Sequence, residues 1–148
     1  MQTNYETKLL LETVKTFLRD EIYPHEEEVD KTGIVPEELG RHIEKRSIEL
    51  GLYAANLPEN IGGGGLDYRT MALIEREYGK TSHALHAWIG RPTEILLACK
   101  DHQIEEYLLP CVKAEKRELF ALTEPDAGSD IMSMKSNAKR DGKDWILN

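Results

Sequence analysis

From Tyr5 to about Tyr23 the apolar residues Leu10, Val14, Phe17, Leu18 and Ile22 recur three or four positions apart, the spacing of one face of an α-helix. Thr3 with Glu6 makes a capping box at its start, and Pro24 stands near its expected end. Pro36 opens a second helix, where a missing N–H costs nothing. Leu39, Ile43 and Leu50 share its face, and Gly51 is the expected stop. A third helix is expected from Asp67 to Tyr78, striped by Met71, Ile74 and Tyr78 and ended by Gly79. Ser82 caps a fourth through His83–Cys99, with a kink or break at Gly90 and Pro92. Asp101 caps a fifth, carrying Ile104, Leu108 and Val112 and divided by Pro110.

Near Leu119 the pattern changes. Phe120-Ala121-Leu122 reads as a short apolar strand running into a turn. A weak alternation follows at Met132–Lys135, then a hairpin turn at Asp141-Gly142 and a strand at Trp145-Ile146-Leu147. The expected architecture is mainly α, with a helical domain over 1–118 and the first strands of a β-domain over 119–148. A hairpin with one apolar face needs partner strands. The chain is therefore expected to be a fragment or natural truncation of something larger.

Composition narrows the class. The 148 residues are 40% hydrophobic and 31% charged, ordinary for a globular chain that buries a core. A net charge of −8 opposes nonspecific attraction to nucleic acid or anionic membrane. No apolar run approaches the ~20 residues of a membrane span. An anionic ligand needs a local basic patch, which the sequence does not reveal. Cys99 and Cys111 lie outside any Cys-x-x-Cys pair and in apolar helical stretches, so they read as reduced, near-core thiols. With no secretory apolar segment at the start, a cytoplasmic setting is expected.

Most candidate chemistry reads as structural. Gly62–Gly65 invites a phosphate cradle, but no Gly-Lys-Ser/Thr follows and no strand precedes it; a flexible helix connection is the plainer reading. His83 and His86 stand three apart without a third ligand, and read as surface or pocket-lining residues. His25, His42 and His102 are isolated, and no Gly-x-Ser-x-Gly elbow exists. Glu26–Glu28, Glu105-Glu106, Asp20 and Glu21 read as solvated helix faces. Glu124, Asp126 and Asp130 lack the order of a calcium loop. What remains is Phe120–Asp130. Thr123 offers a hydroxyl and an N–H, Gly128 permits close approach of backbone to a bulky ligand, and Ser129 adds donors suited to a phosphate oxygen. Such a set can hold a heteroaromatic ring at one point and a pyrophosphate at another. A hairpin turn capped by its own acids is the alternative.

The run FALTEPDAGSD, Phe120–Asp130, closely resembles the signature of the acyl-CoA dehydrogenase family. Leu57-Pro58-Glu59, Gly65-Leu66-Asp67, Glu106–Pro110 and Asp141-Gly142 look like further family landmarks in the family's order. The resemblance implies an N-terminal helical domain followed by the opening of a middle β-barrel. It also implies α,β-dehydrogenation of an acyl-CoA thioester, with a carboxylate removing the α-proton and the β-hydrogen passing as hydride to FAD. Electrons would then go to an electron-transfer flavoprotein. Carried over by position, Thr123 hydrogen-bonds the flavin ring, assisted by the main chain near Leu122, and Phe120 lies against the ring. Gly128 and Ser129 face the pyrophosphate, and Ser129 borders the substrate. The region around His83–Gly90 resembles the part that lines the acyl tail, which makes His86 and Trp88 candidates for shaping it. The catalytic base and a second flavin segment are expected after Asn148, so no catalytic residue is assigned, and Glu124, Asp126 and Asp130 are not taken as the base. The chain alone is expected to be inactive and to bind FAD weakly. The full-length protein is expected to be a homo-oligomer. An acyl-CoA oxidase or flavin monooxygenase of the same architecture, and a noncatalytic helical interaction domain, remain the alternatives.

Overall fold

The computed structural model describes residues 4–148. Contacts divide the chain into two units, one reaching to Glu118 and the other Leu119–Asn148. Helices α1 (Tyr5–Phe17), α2 (Tyr23–Thr32), α3 (Glu37–Glu49), α4 (Tyr68–Tyr78), α5 (His83–His86) and α6 (Leu109–Val112) build the first. The second holds one antiparallel hairpin, β1 (Ala138–Asp141) and β2 (Asp144–Leu147). The fold is thus mainly helical, with a two-stranded sheet near the end of the chain.

In the helical unit α1 packs on α4, α2 on α5, and α3 on the turn Ala87–Ile89. The apolar stripes read from the sequence meet in one core, including Val14, Leu18, Ile22, Ile43, Ile74 and Leu85, all essentially inaccessible to solvent. A smaller cluster of Ala54, Leu57, Leu108 and Val112 joins the segment before the glycine run to the last helix. No helix among the described residues is long and apolar enough to cross a membrane.

Several local expectations are corrected. Thr3 lies outside the described residues; Asn4 caps α1, its Oδ1 accepting from the Thr7 N–H at 2.7 Å. The first helix does not end near Pro24. A π-helical turn at Leu18–Ile22 carries the chain into α2, which begins one residue before the proline. A wider turn relieves the clash between the pyrrolidine ring and the preceding turn, so the helix proceeds without its N–H bond. Pro110 is handled alike: a π turn at Ile104–Leu108 leads into α6, so the proline alters the hydrogen-bond pattern without dividing the helix. The helix expected through Cys99 breaks at Gly90 as expected, with φ +85° there, but its pieces are short: α5 and two 3₁₀ turns, Ala87–Ile89 and Glu94–Ala98. Ser82 does not cap with its hydroxyl; its backbone N–H donates to Glu26 Oε1 at 2.7 Å, tying α5 to α2. Asp101 stands at φ +49° before the last helix, and the Gln103 side chain accepts from the Lys100 N–H there.

Phe120-Ala121-Leu122 forms no strand, and Ile131–Ser133 is a 3₁₀ turn where alternation suggested extension. The hairpin turn is shifted by one residue: Asp141 pairs with Asp144, leaving Gly142-Lys143 as the loop, with Gly142 at φ +59°.

Candidate functional site

Within the second unit, Glu124-Pro125-Asp126-Ala127 closes on itself. The Glu124 N–H donates to the Ala127 carbonyl at 3.0 Å, and the Ala127 N–H returns a bond at 3.2 Å. Thr123 and Gly128 therefore flank one tight turn, with Ser129 next in line. Ala127 is buried beneath it, whereas Thr123, Gly128 and Ser129 are exposed, Leu122 is half-buried and Phe120 is 65% exposed. Among the described residues, the Thr123 and Ser129 hydroxyls and the N–H groups of Gly128 and Ser129 have no hydrogen-bond partner. Gly128 is not in the left-handed region, and a Cβ built on it meets nothing within 4 Å. Nothing else in this chain calls for glycine there, which leaves the space beside a set of free donors open to a ligand. Hydroxyl and amide donors of this kind match the acceptors of a flavin ring and a diphosphate, so the residues present fit FAD.

The acids around the turn are already engaged. Glu124 accepts from the N–H groups of Lys135 at 2.9 Å and Ser136 at 3.0 Å, and those bonds hold its carboxyl below the usual pKa. Asp126 pairs with Lys135 Nζ at 2.7 Å, and Asp130 caps the following 3₁₀ turn through the Met132 N–H and the Ser133 hydroxyl. These are the bonds of turn-forming residues. Among the described residues no group of three or more His, Cys, Asp or Glu is placed to hold a metal ion.

The glycine run is not a phosphate cradle, and it is not a loose connection either. Gly63 N–H donates to Pro58 O, Gly64 to Ala54 O, Gly65 to Leu57 O and Leu66 to Ala55 O, at 2.8–3.1 Å. A Cβ on Gly63 would stand 2.2 Å from the Leu57 carbonyl oxygen. The glycines let two stretches of main chain lie against each other, and the donors an anion would need are spent on that contact.

The helical unit contains a cavity of about 250 Å³. Leu52, Met71, Ile74 and Ile89 give it an apolar floor, and Asn56, Glu75, Tyr78, His83, His86 and Arg91 its polar and aromatic parts. His86 is parallel to Tyr78, with centroids 6.1 Å apart and planes at 25°, and edge-on to His83 at 4.8 Å. His83 Nδ1 and His86 Nε2 are 3.1 Å apart, so one ring donates to the other when at least one is neutral. His86 Nδ1 is buried and meets no partner in full hydrogen-bond geometry. Burial and then the neighbouring His83 push this imidazole below its usual pKa, against a weaker opposite pull from Glu75 and the Tyr78 main chain. Asn56 donates both amide hydrogens, to Pro92 O at 2.8 Å and Glu94 Oε1 at 3.0 Å, which leaves its buried Oδ1 without a partner. Trp88, paired with His86 in the sequence reading, is turned elsewhere. It lies on Gly40 and under the Arg117 guanidinium, 4.1 Å from the ring centroid, and does not line the cavity.

Sequence reasoning named His83 and His86 but missed Asn56, Glu75 and Arg91. Three stretches, 52–56, 71–78 and 83–91, converge on the cavity. No local pattern could announce that. Glu21 was read as part of a solvated face, but it bridges two helices. Its carboxylate binds His42 Nε2 at 2.6 Å and Arg46 Nε at 3.1 Å. Burial alone would raise its pKa, and the hydrogen bonds from His42 and Arg46 together bring it below normal.

The fold is a helical unit followed by a donor-bearing turn, and comparison with known proteins fixes the family. Residues 4–115 match the family described as acyl-CoA dehydrogenase, N-terminal domain, and the chain belongs to it. It is 35% identical over 146 residues to a 3-(aryl)acrylate reductase of Clostridium sporogenes, covering 95% of this chain and 38% of the relative. It is 34% identical over 148 residues to the mitochondrial long-chain specific acyl-CoA dehydrogenase of Sus scrofa, covering 97% and 33%. The crystal structure of an acyl-CoA dehydrogenase from Bacillus anthracis, complexed with FAD, superimposes with a TM-score of 0.77 at 28% identity, covering 99% of this chain and 26% of that one. The chain thus spans 33–38% of the length of these two curated relatives.

Proposed function

We propose that this chain forms the helical domain, residues 1–118, and the opening of the flavin-binding domain, residues 119–148, of an FAD-dependent acyl-CoA dehydrogenase acting in the cytoplasm. The observation that carries the reading is the closed turn at Glu124–Ala127, with free donors on Thr123, Gly128 and Ser129 at its shoulders. In this reading Thr123 and the main chain near Leu122 hold the flavin ring, Phe120 covers it, and Gly128 and Ser129 receive the diphosphate. Ser129 also borders the acyl-CoA. Bound FAD would supply the hydride acceptor; the chain's own share is to fix the ring, neutralise diphosphate charge with N–H dipoles and exclude water. In this reading no residue of this chain is assigned as the base that takes the α-proton, and electrons pass on to an electron-transfer flavoprotein. The cavity lined by His86 receives the acyl end.

Reading the coding sequence past Asn148 tests the first part: a continuing frame with a tryptophan-bearing strand supports it, and an immediate stop counts against it. In the protein so extended, Thr123→Val and Ser129→Ala are each expected to weaken FAD binding about tenfold, as loss of a hydrogen bond to a charged or strongly polar group does. Unchanged flavin content in both variants would remove the site assignment. Oxygen consumption, with and without an electron-transfer flavoprotein, separates a dehydrogenase from an oxidase.

A further inference from the structure

We infer that the cavity in the helical unit is built for a compact aromatic end group, so that the acyl thioester it serves carries an aryl terminus and not a long straight chain. The inference rests on the reading that this cavity receives the acyl end. Its volume is about 250 Å³. An apolar cavity of roughly 150 Å³ is enough for benzene, so a substituted ring fits here.

The walls point the same way. Tyr78 and His86 present parallel rings, and His83 stands edge-on to His86, an array that an incoming ring can extend by stacking. Met71 adds a polarizable thioether to a floor of Leu52, Ile74 and Ile89. Glu75 and Arg91 neutralise each other at 3.0 Å, so the lining carries no unpaired charge to recruit a carboxylate terminus. Burial opposes protonation of His86, which joins the wall as a heteroaromatic ring. His86 is the specificity residue of this arrangement.

The test uses the 148-residue chain and three probes, p-cresol, toluene and n-hexane, followed by methyl NMR shifts of Leu52, Met71 and Ile74. p-Cresol and toluene are expected to bind, with hexane weaker by about fivefold, the scale of an aromatic pair contact. His86→Phe should keep toluene binding and His86→Ala should weaken it by a similar factor; the conservative variant guards against simple misfolding. The thioester 3-phenylpropanoyl-CoA should then displace toluene. Hexane binding as well as the aromatics, or no probe moving the three methyl signals, overturns the aryl assignment. Toluene binding that no CoA thioester displaces overturns the acyl-end reading beneath it, and so tells the two failures apart.

Discussion

At the scale of single residues, two small side chains do what no larger one could. Ser47 is wholly buried on α3 and its hydroxyl lies 2.7 Å from the Ile89 carbonyl, across 42 positions of sequence, and 2.8 Å from the Glu44 carbonyl. Ser47→Ala should leave the Ile89 oxygen unsatisfied and cost about 1–2 kcal/mol in urea unfolding. Gly40 sits in the interior of α3, where alanine normally gains about 1 kcal/mol of helix propensity. Here a Cβ would stand 2.3 Å from the Trp88 ring, so overpacking wins and Gly40→Ala should be net destabilising by roughly 1–2 kcal/mol, read by thermal unfolding. His86 gives a pH dependence. Its pKa in the folded chain is below the ordinary 6.5, so the unfolded chain takes up the proton first as pH falls. Its contribution is complete above pH 6.5 and declines as the solution is acidified toward the lowered value. Urea midpoints between pH 7.5 and 5 should slope less in His86→Phe than in the parent; equal slopes would contradict the account.

At the scale of elements, the segment Gly62–Leu66 is clamped to Ala54–Pro58 by main-chain bonds and by the absence of Cβ atoms. Gly63→Ala should destabilise the helical unit by about 2–3 kcal/mol, because the obstacle is a carbonyl and not a movable side chain. Pyrophosphate should leave the amide shifts of this segment unmoved. How far such elements were legible in advance depended on what defined them. α4 was readable throughout, since Asp67, Met71, Ile74, Tyr78 and Gly79 all agree on one helix. The stripe Val14–Leu18–Ile22 was readable too, but its continuation beyond Pro24 was not, because a π turn is set by packing and leaves no mark in composition. Phe120–Leu122 and Met132–Lys135 have strand-like residues without the neighbours that would make them strands. The turn at Thr123–Ser129 was legible from its own turn-forming residues, and only the roles given to its donors came from the family resemblance. The cavity was not, since its lining is assembled only when three separated stretches fold together.

At the scale of the whole molecule, the two units are unequally furnished. The helical unit owns both clusters of buried side chains, whereas in the second only Ala127 is buried and Phe120, Met132, Trp145 and Leu147 are largely exposed. Hydrogen exchange should therefore be slow in α1, α3 and α4 and fast across β1 and β2, with a hairpin this small holding little protection of its own. Protection in the hairpin equal to that of α4 would show an additional source of stability. The exposed apolar residues should also bind a hydrophobic dye in the folded state, and Trp145→Lys with Leu147→Lys should abolish most of that signal. Trp88 and Trp145 fall one to each unit, the first half-covered by Gly40 and Arg117, the second 63% exposed. The chain thereby carries two lamps of different colour, the enclosed indole emitting blue and the wetted one red. Replacing either by phenylalanine isolates the other, and melting or ligand entry can be watched in each unit from its own emission without attaching any label.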